Sequence, residues 1–346
     1  MSGSLLSAAF FLFLGPSAYA AGPGTSAATF LNLGFGARPL ALGESFVAVA
    51  DDVSAVHYNP AGLAFAPSLA SRQSQRRYEM LASHAMHIQD IRLSQFGFLA
   101  RPWGFSLTHL SLDGIERRTS ETLQPEGSFG ASDLLFGVSY GRRLVDYGVG
   151  LGASGKYIKQ SIGEYSASAY ALDLGALYRL QSAPVSLGAS VVNLGTRVKF
   201  VDQAYPLPLT LRLGAAYGMT ARFPHALTIQ LDLPRDNAPN VRLGMEYLGF
   251  GPFALRAGYR TTSAAQRSAA LGKALGSSAP GLAEFYGMFM GAGFRSKYGS
   301  MDYTLLPYGE LGNAHRFSFT VRFGGPNSFP LVETHPAGET LAGVAP

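Results

Sequence analysis

The sequence predicts an all-β fold, a 14-stranded antiparallel transmembrane β-barrel with an N-terminal plug segment containing short helices. Three observations predict it. Asp, Glu, Lys and Arg make up 14% of the chain, where soluble domains average about 25%. Even so, no run reaches the roughly 20 apolar residues that a membrane-spanning helix needs. Glycine is abundant, 42 of 346 residues against a usual share of about 7%, which suits strands whose apolar residues alternate with small or polar ones. From about residue 80 onward the apolar residues recur with period two.

The alternation is plain in four segments. Tyr147, Val149, Leu151 and Ala153 interleave with Gly148, Gly150, Gly152 and Ser154. Leu209, Leu211, Leu213, Ala215 and Tyr217 interleave with Thr210, Arg212, Gly214 and Ala216. Val241, Leu243, Met245 and Tyr247 do so with Arg242, Gly244 and Glu246, and Phe317, Phe319, Val321 and Phe323 with Arg316, Ser318, Thr320 and Arg322. Successive side chains of a strand point to opposite faces. A soluble sandwich must turn the apolar face inward, but here Gly and Arg recur on the other face, so the apolar face is the lipid-facing one.

The first element is an export signal. Leu5 to Leu14 is an apolar run of signal-peptide length, broken by Gly15-Pro16 and followed by the small-x-small site Ala18-Tyr19-Ala20. No Lys or Arg precedes the run, a departure from the usual charged start. Residues 1–20 are expected to be a cleaved signal peptide, directing the chain through the inner membrane to the bacterial outer membrane. Residues 21–79 form the plug or hatch. They hold a helical-looking stretch from Glu44 to Ala64, in which Asn59 is suited to cap a short helix with Pro60 in its first turn. Asp51, Asp52, Asn59, Pro60 and Gly62 are the plug and gate candidates: either they fold and cap the plug, or the two carboxylates pair with arginines of the lumen.

The barrel is expected over 80–324, with strands near 80–88, 92–100, 103–112, 132–142, 146–158, 168–180, 185–194, 209–218, 225–233, 241–249, 252–260, 284–296, 299–307 and 315–324. The count is even, as bacterial single-chain barrels require. The long connections, 113–131, 195–208 and 261–283, are the third, seventh and eleventh. With both termini periplasmic these odd connections face outward, as the longer loops of such barrels do. Residues 325–346, rich in Pro and Gly and without Lys or Arg, read as a disordered periplasmic tail. Phe323 is the candidate aromatic for the barrel-assembly machinery, so that signal is internal or absent.

Arg212, Arg242, Arg256, Arg260, Arg316 and Arg322 point inward on this register, with Asp173 and Glu246 as the clear inward acids. Buried charges need partners, and either the plug carboxylates or an anionic ligand would serve. Arg267 and Lys273, in the longest loop, are candidates for an outer docking surface or plain mobile surface. Tyr157, Tyr178, Tyr259 and Phe323 read as membrane-interface residues.

Several chemistries are excluded or poorly supported. Without cysteine there is no disulfide or thiolate site. The net charge of +5 is spread without the Lys/Arg runs of a nucleic-acid binder. His84-x-x-His87 would point to both faces of a strand, against a metal site. Asp51, Ser54 and His57 carry the letters of a triad but no more. Gly148-x-Gly150-x-Gly152 lacks the helix a phosphate loop needs. No cofactor and no enzymatic activity are expected.

Gly36-Ala37-Arg38-Pro39-Leu40-Ala41-Leu42-Gly43, Ala48-Val49-Ala50-Asp51-Asp52 and Asn59-Pro60-Ala61-Gly62-Leu63 resemble the N-terminal signature of PorV/PorQ-type proteins, within the wider FadL-like group of 14-stranded outer-membrane barrels. Ala171 to Gly175, Val192 to Gly195 and Pro307 to Arg316 extend the resemblance along the chain, the last to the closing strand. The resemblance implies a plug folded into or under the barrel and one of two roles. One is a PorV-like, non-enzymatic accessory or binding protein for type IX-like secretion or surface attachment, its partners the C-terminal domains of secreted cargo or a secretion translocon. The other is FadL-like transport of hydrophobic small molecules such as fatty acids. A structural outer-membrane protein, contacting outer-membrane lipid alone, is a third reading.

Overall fold

A computed structural model describes residues 25–65, 76–86, 91–118, 124–144, 148–180, 182–218, 224–262, 286–307 and 313–326. Fourteen antiparallel strands close into one barrel. They are β1 (Arg76–Met86), β2 (Arg92–Ala100), β3 (Trp103–Arg117), β4 (Gly127–Leu144), β5 (Val149–Ile162), β6 (Tyr165–Arg179) and β7 (Val185–Gly195). After a small hairpin, β8 (Val198–Lys199) and β9 (Ala204–Tyr205), follow β10 (Thr210–Gly218), β11 (His225–Pro234), β12 (Asn240–Phe250), β13 (Phe253–Arg260), β14 (Met288–Ser296), β15 (Gly299–Pro307) and β16 (Asn313–Pro326). Each barrel strand pairs with its neighbours in sequence, β7 with β10 across the hairpin, and β1 with β16 closes the ring.

The wall is apolar outside. Leu213, Leu243, Met245, Phe317, Phe319 and Val321 are all exposed, while Arg212, Arg256, Arg316 and Arg322 between them are buried. In water such a surface would be an aggregation hazard; in a bilayer it is the lipid-facing band. Closing the sheet leaves no edge strand with unpaired backbone groups, the condition for crossing hydrocarbon. The chain is an outer-membrane β-barrel.

Four details differ from the sequence expectation. β3 and β4 reach Arg117 and Gly127, so the third connection is shorter than 113–131; a register shift between Leu112 and Ile115 breaks the alternation there and hides the continuation. The seventh connection contains the β8–β9 hairpin. The helical-looking stretch Glu44 to Ala64 is helical only from Ala55: the plug holds short helices at Ala37–Ala41 and Ala55–Tyr58, with 3₁₀ turns at Thr29–Asn32 and Pro60–Ala64. Gly43, Glu44 and Ala50 all have positive φ, which stops a helix. The backbone amides of Phe46 and Val47 instead donate to the wall side chain of Gln230, at 3.0 and 2.9 Å.

The fourth difference concerns direction. Residues 25–65 thread the lumen from one mouth to the other. Ala27 N–H donates to Pro206 O in the seventh connection, at the long-loop mouth. Phe65 O accepts from Arg101 Nε at 2.8 Å, in the short turn between β2 and β3, at the opposite mouth. The start of the plug is thus at the outer mouth and not on the periplasmic side. Parity of strands fixes where β1 begins and β16 ends, and it carries no information about the segment before β1. Residues 1–24 and 327–346, with the signal peptide and nearly all of the tail, lie outside the described residues, as do His87, Arg267 and Lys273.

Candidate functional site: a plugged lumen with an apolar outer mouth

Glycine sets how closely plug and wall approach. A Cβ built on Gly188 would lie 2.2 Å from Val47 O, on Gly258 2.0 Å from Gly43 N, on Gly152 2.3 Å from the Pro60 carbonyl carbon, and on Gly175 2.1 Å from Asn59 Oδ1. On Gly97, Gly104, Gly141, Gly214, Gly244 and Gly291 it would lie 2.5–2.9 Å from plug atoms. These residues lie on ten of the fourteen strands, and they are the inward members of the alternation. The plug, by backbone or by side chain, therefore touches the wall around most of the ring. Between plug and wall a cavity of about 20 Å³ remains, lined by Arg38, Asp52, Arg256, Arg295, Asp302 and Arg322 among others. That is room for about one water.

The plug side chains then find wall partners. Asn59 Oδ1 accepts from Ala61 N–H at 3.1 Å as the helix cap, while Asn59 Nδ2 donates to Val47 O and Ala176 O at 2.8 and 3.0 Å. Pro60 takes the first position of the following turn. Gly62 meets Ala50 O, where a Cβ would stand 1.9 Å away. Ser318 accepts from Ala37 N–H at 2.7 Å, and Tyr58 Oη accepts from Phe35 N–H at 3.0 Å. Gln95 accepts from Gly36 N–H at 3.1 Å and donates to Gly34 O at 3.0 Å.

Asp51 and Asp52 are buried, but their principal partner is a plug residue. Arg38 Nη1 donates to Asp51 Oδ1 at 2.6 Å and to Asp52 Oδ2 at 2.7 Å, and Arg38 Nη2 reaches Glu246 of β12 at 2.8 Å. Glu246 is shared with Arg256, whose Nη1 binds Asp302 at 2.7 Å. Arg242 pairs with Glu44 of the plug and, at 2.8 Å, with Asp232; Arg260 stands 3.8 Å from Glu44 at the outer mouth. Arg212 lies over the Tyr58 ring and bonds His57 O at 3.4 Å. Arg316 donates to Gly34 O and to Gln95, at 2.9 and 2.8 Å. Arg322 stands 3.8 Å from Glu79, which Arg101 holds at 3.1 Å. The six lumen arginines do face inward, against the plug and wall rather than an open watery lumen. Of the plug acids, Glu44 pairs directly with the wall arginines Arg242 and Arg260, while Asp51 and Asp52 share Arg38.

Sequence reasoning missed Arg38, Glu44, Glu79, Arg101, Asp232 and Asp302. The period-two pattern would have turned Glu79, Asp232 and Asp302 inward; nothing local marks Arg38 as the hub. It also missed Lys156, whose Nζ bonds Asn193 Oδ1 at 2.9 Å and Asp173 at 2.5 Å. Asn193, in the left-handed region at φ 63°, forms the shift in register between β6 and β7.

On the side of β4 to β6 the outer mouth is largely apolar. There Ala28, Phe30 and Leu31 pack against the inward faces of Leu135, Ile158, Ala167, Ala169 and Ala171 and against Val198 and Leu207 of the seventh connection. Ala28 N–H is held by Gln160 Oε1 at 3.1 Å. An inner wall is ordinarily polar, so this apolar niche is a local inversion of the pattern. Among the described residues no group of His, Asp and Glu is arranged to hold a metal.

No family model and no curated protein matches the chain. Among solved structures it is similar to the toluene transporter TodX of P. putida, at 14% identity and a TM-score of 0.52, over 84% of this chain and 99% of that one. It is similar also to a structure described as the TodX deltaS2S3 mutant monoaromatic hydrocarbon channel, at 15% identity and a TM-score of 0.53, over 84% and 99%. At such identities the likeness is one of fold: that of the FadL-like outer-membrane barrels.

Proposed function

We propose that this barrel passes hydrophobic small molecules across the outer membrane, in the manner of FadL-like channels, and that residues 25–65 are its gate. The observation that carries the reading is the apolar niche at the outer mouth. Burying apolar surface is favourable by about 25 cal/mol per Å², so a niche lined by Leu135, Ile158 and three alanines selects apolar solutes. It is filled here by Phe30 and Leu31, side chains that an incoming hydrocarbon or acyl chain would replace in kind. In the polar, glycine-lined remainder of the lumen the plug packs closely against the wall. The resemblance to TodX barrels, one of which is titled a toluene transporter, agrees with this choice of solute.

The test is uptake into proteoliposomes. Toluene or a medium-chain fatty acid is expected to enter faster than into protein-free vesicles, with Ile158→Asp abolishing the gain and no uptake of a sugar in either case. Absence of any gain for apolar solutes would sink the reading. Co-purification from native membranes of secreted proteins sharing a C-terminal domain would favour the PorV-like accessory role instead; its narrowest sequence support, Pro307 to Arg316, runs partly through residues outside the described set.

A further inference from the structure

The outer wall is not uniformly apolar. The register aligns a row of outward residues across neighbouring strands: Tyr303, Phe317, His84, Ser94, His109, Leu134, Lys159 and Ser168 are successive partners from β15 to β6. One step toward the long-loop mouth, Arg92, Ser111, Ser132, Ser161 and Ser166 form the next row. One step toward the short turns, Phe319, Ala82, Phe96, Leu107, Phe136, Tyr157 and Tyr170 are apolar or aromatic throughout. His84, Arg92, Ser94, His109 and Lys159 are all exposed.

Three features define the patch. It carries two permanent cations and three histidines, the third being His315, which continues the Arg92 row through Met86 and bonds Tyr303 Oη at 2.8 Å. A run of hydroxyls lies beside them, and among the described residues neither row holds a carboxylate. Among the described residues the nearest acids are Asp133, which faces the lumen and bonds Gln160, Asp113, two residues further toward the loops, and Glu164, in the β5–β6 turn; Asp90, two residues before Arg92 in sequence, lies outside the described residues. Neighbouring strands are about 4.8 Å apart, so His84, Ser94 and His109 stand side by side; His84 Nδ1 and Ser94 Oγ are 3.1 Å apart. The patch also borders the apolar band directly, on its long-loop side. On the far side of the barrel, among the described residues, Leu211, Leu231, Leu233 and Leu243 are outward and apolar.

We propose that this face is a binding site for the phosphate-bearing headgroup of an outer-leaflet glycolipid. Arg92 and Lys159 supply charge to phosphate oxygens, the serines and histidines supply hydrogen bonds, and the aromatic row below receives the acyl chains. A protein partner would bring carboxylates or its own apolar surface to a face this large. An acid-free set of cations and hydroxyls directly above an acyl-compatible row instead matches one amphiphile with an anionic head.

The experiment is native mass spectrometry of the full barrel from a mild detergent, offered either bis-phosphorylated lipid A or the same lipid with both phosphates removed. The phosphorylated lipid is expected to be retained at least about tenfold better, each surface cation near a phosphate contributing roughly a factor of five. The variant Arg92→Gln with His109→Gln and Lys159→Gln should fall to the level of the dephosphorylated lipid. Its side chains are exposed, and unchanged heat-modifiable migration confirms that it folds. Equal retention of the two lipids, or undiminished retention by the folded variant, overturns the site. Displacement of the lipid by an equimolar amount of inorganic phosphate would overturn it too, by identifying the ligand as a free anion.

Discussion

At the scale of single residues the protein is organised by charges that could not be buried alone. Arg38 is 8% exposed and touches three carboxylates. Removing one partner of a buried pair leaves the other uncompensated, which costs about 3–5 kcal/mol. Arg38→Gln should therefore lower the urea midpoint of the barrel in detergent by that much stability, and Arg38→Lys should recover only part of it, since an ammonium cannot fork between Asp51 and Glu246. Asp51→Asn with Asp52→Asn frees the same guanidinium from the plug side while leaving Glu246 in place. Bilayer recordings are expected to show a raised leak conductance for this double variant, and an unchanged leak would mean that these carboxylates have no part in holding the gate.

The turn over Pro60–Ala64 illustrates how elements are held. It begins at the Asn59 cap, legible in the sequence as Asn-Pro ahead of small residues. Its seat is legible only in three dimensions: Gly141, Gly150, Gly152 and Gly175 from three adjacent strands meet Asn59 to Phe65 closely. Gly152→Val would push the turn off the wall, because the contact is backbone carbon and not the end of a flexible chain. The outcome expected is a barrel that still resists SDS without heating but whose plug is cut by added protease; a plug as resistant as the parent's would show that the wall, not the turn, gives way. Asn59→Ala loses the cap, worth about 1 kcal/mol, and also strands the carbonyls of Val47 and Ala176, so thermal unfolding in detergent should register more than a cap alone.

For the molecule as a whole the question is whether the plug moves. It spans the lumen from Pro206 at one mouth to Arg101 at the other, and transport past it requires displacement of at least its outer part. The chain has no cysteine, so one introduced pair is clean. Val47→Cys with Gly214→Cys joins plug to wall where a Cβ on Gly214 would already meet Val47 Cγ1 at 2.6 Å. Oxidation is expected to abolish toluene uptake and reduction to restore it. Uptake indifferent to the crosslink would mean that the solute leaves the niche without moving this part of the plug.

By itself the sequence determined the wall: fourteen strands, their boundaries to a few residues, which face meets lipid, and the cap at Asn59. These follow from side chains alternating along a strand and from a hydrogen bond two residues long, both local. Only the tertiary structure decided the rest. Glu44 and Arg242 are 198 residues apart, Arg38 and Glu246 are 208 apart, and no periodicity links them. The helical-looking stretch from Glu44 begins as turns, where Gln230 accepts from the amides of Phe46 and Val47, and is helical only from Ala55. The niche of Leu135, Ile158 and three alanines interrupts the polar-inward pattern, so alternation could not identify it. The same rule that locates a side chain on a face is silent about what arrives to cover that face, and here it is the chain's own N-terminal segment.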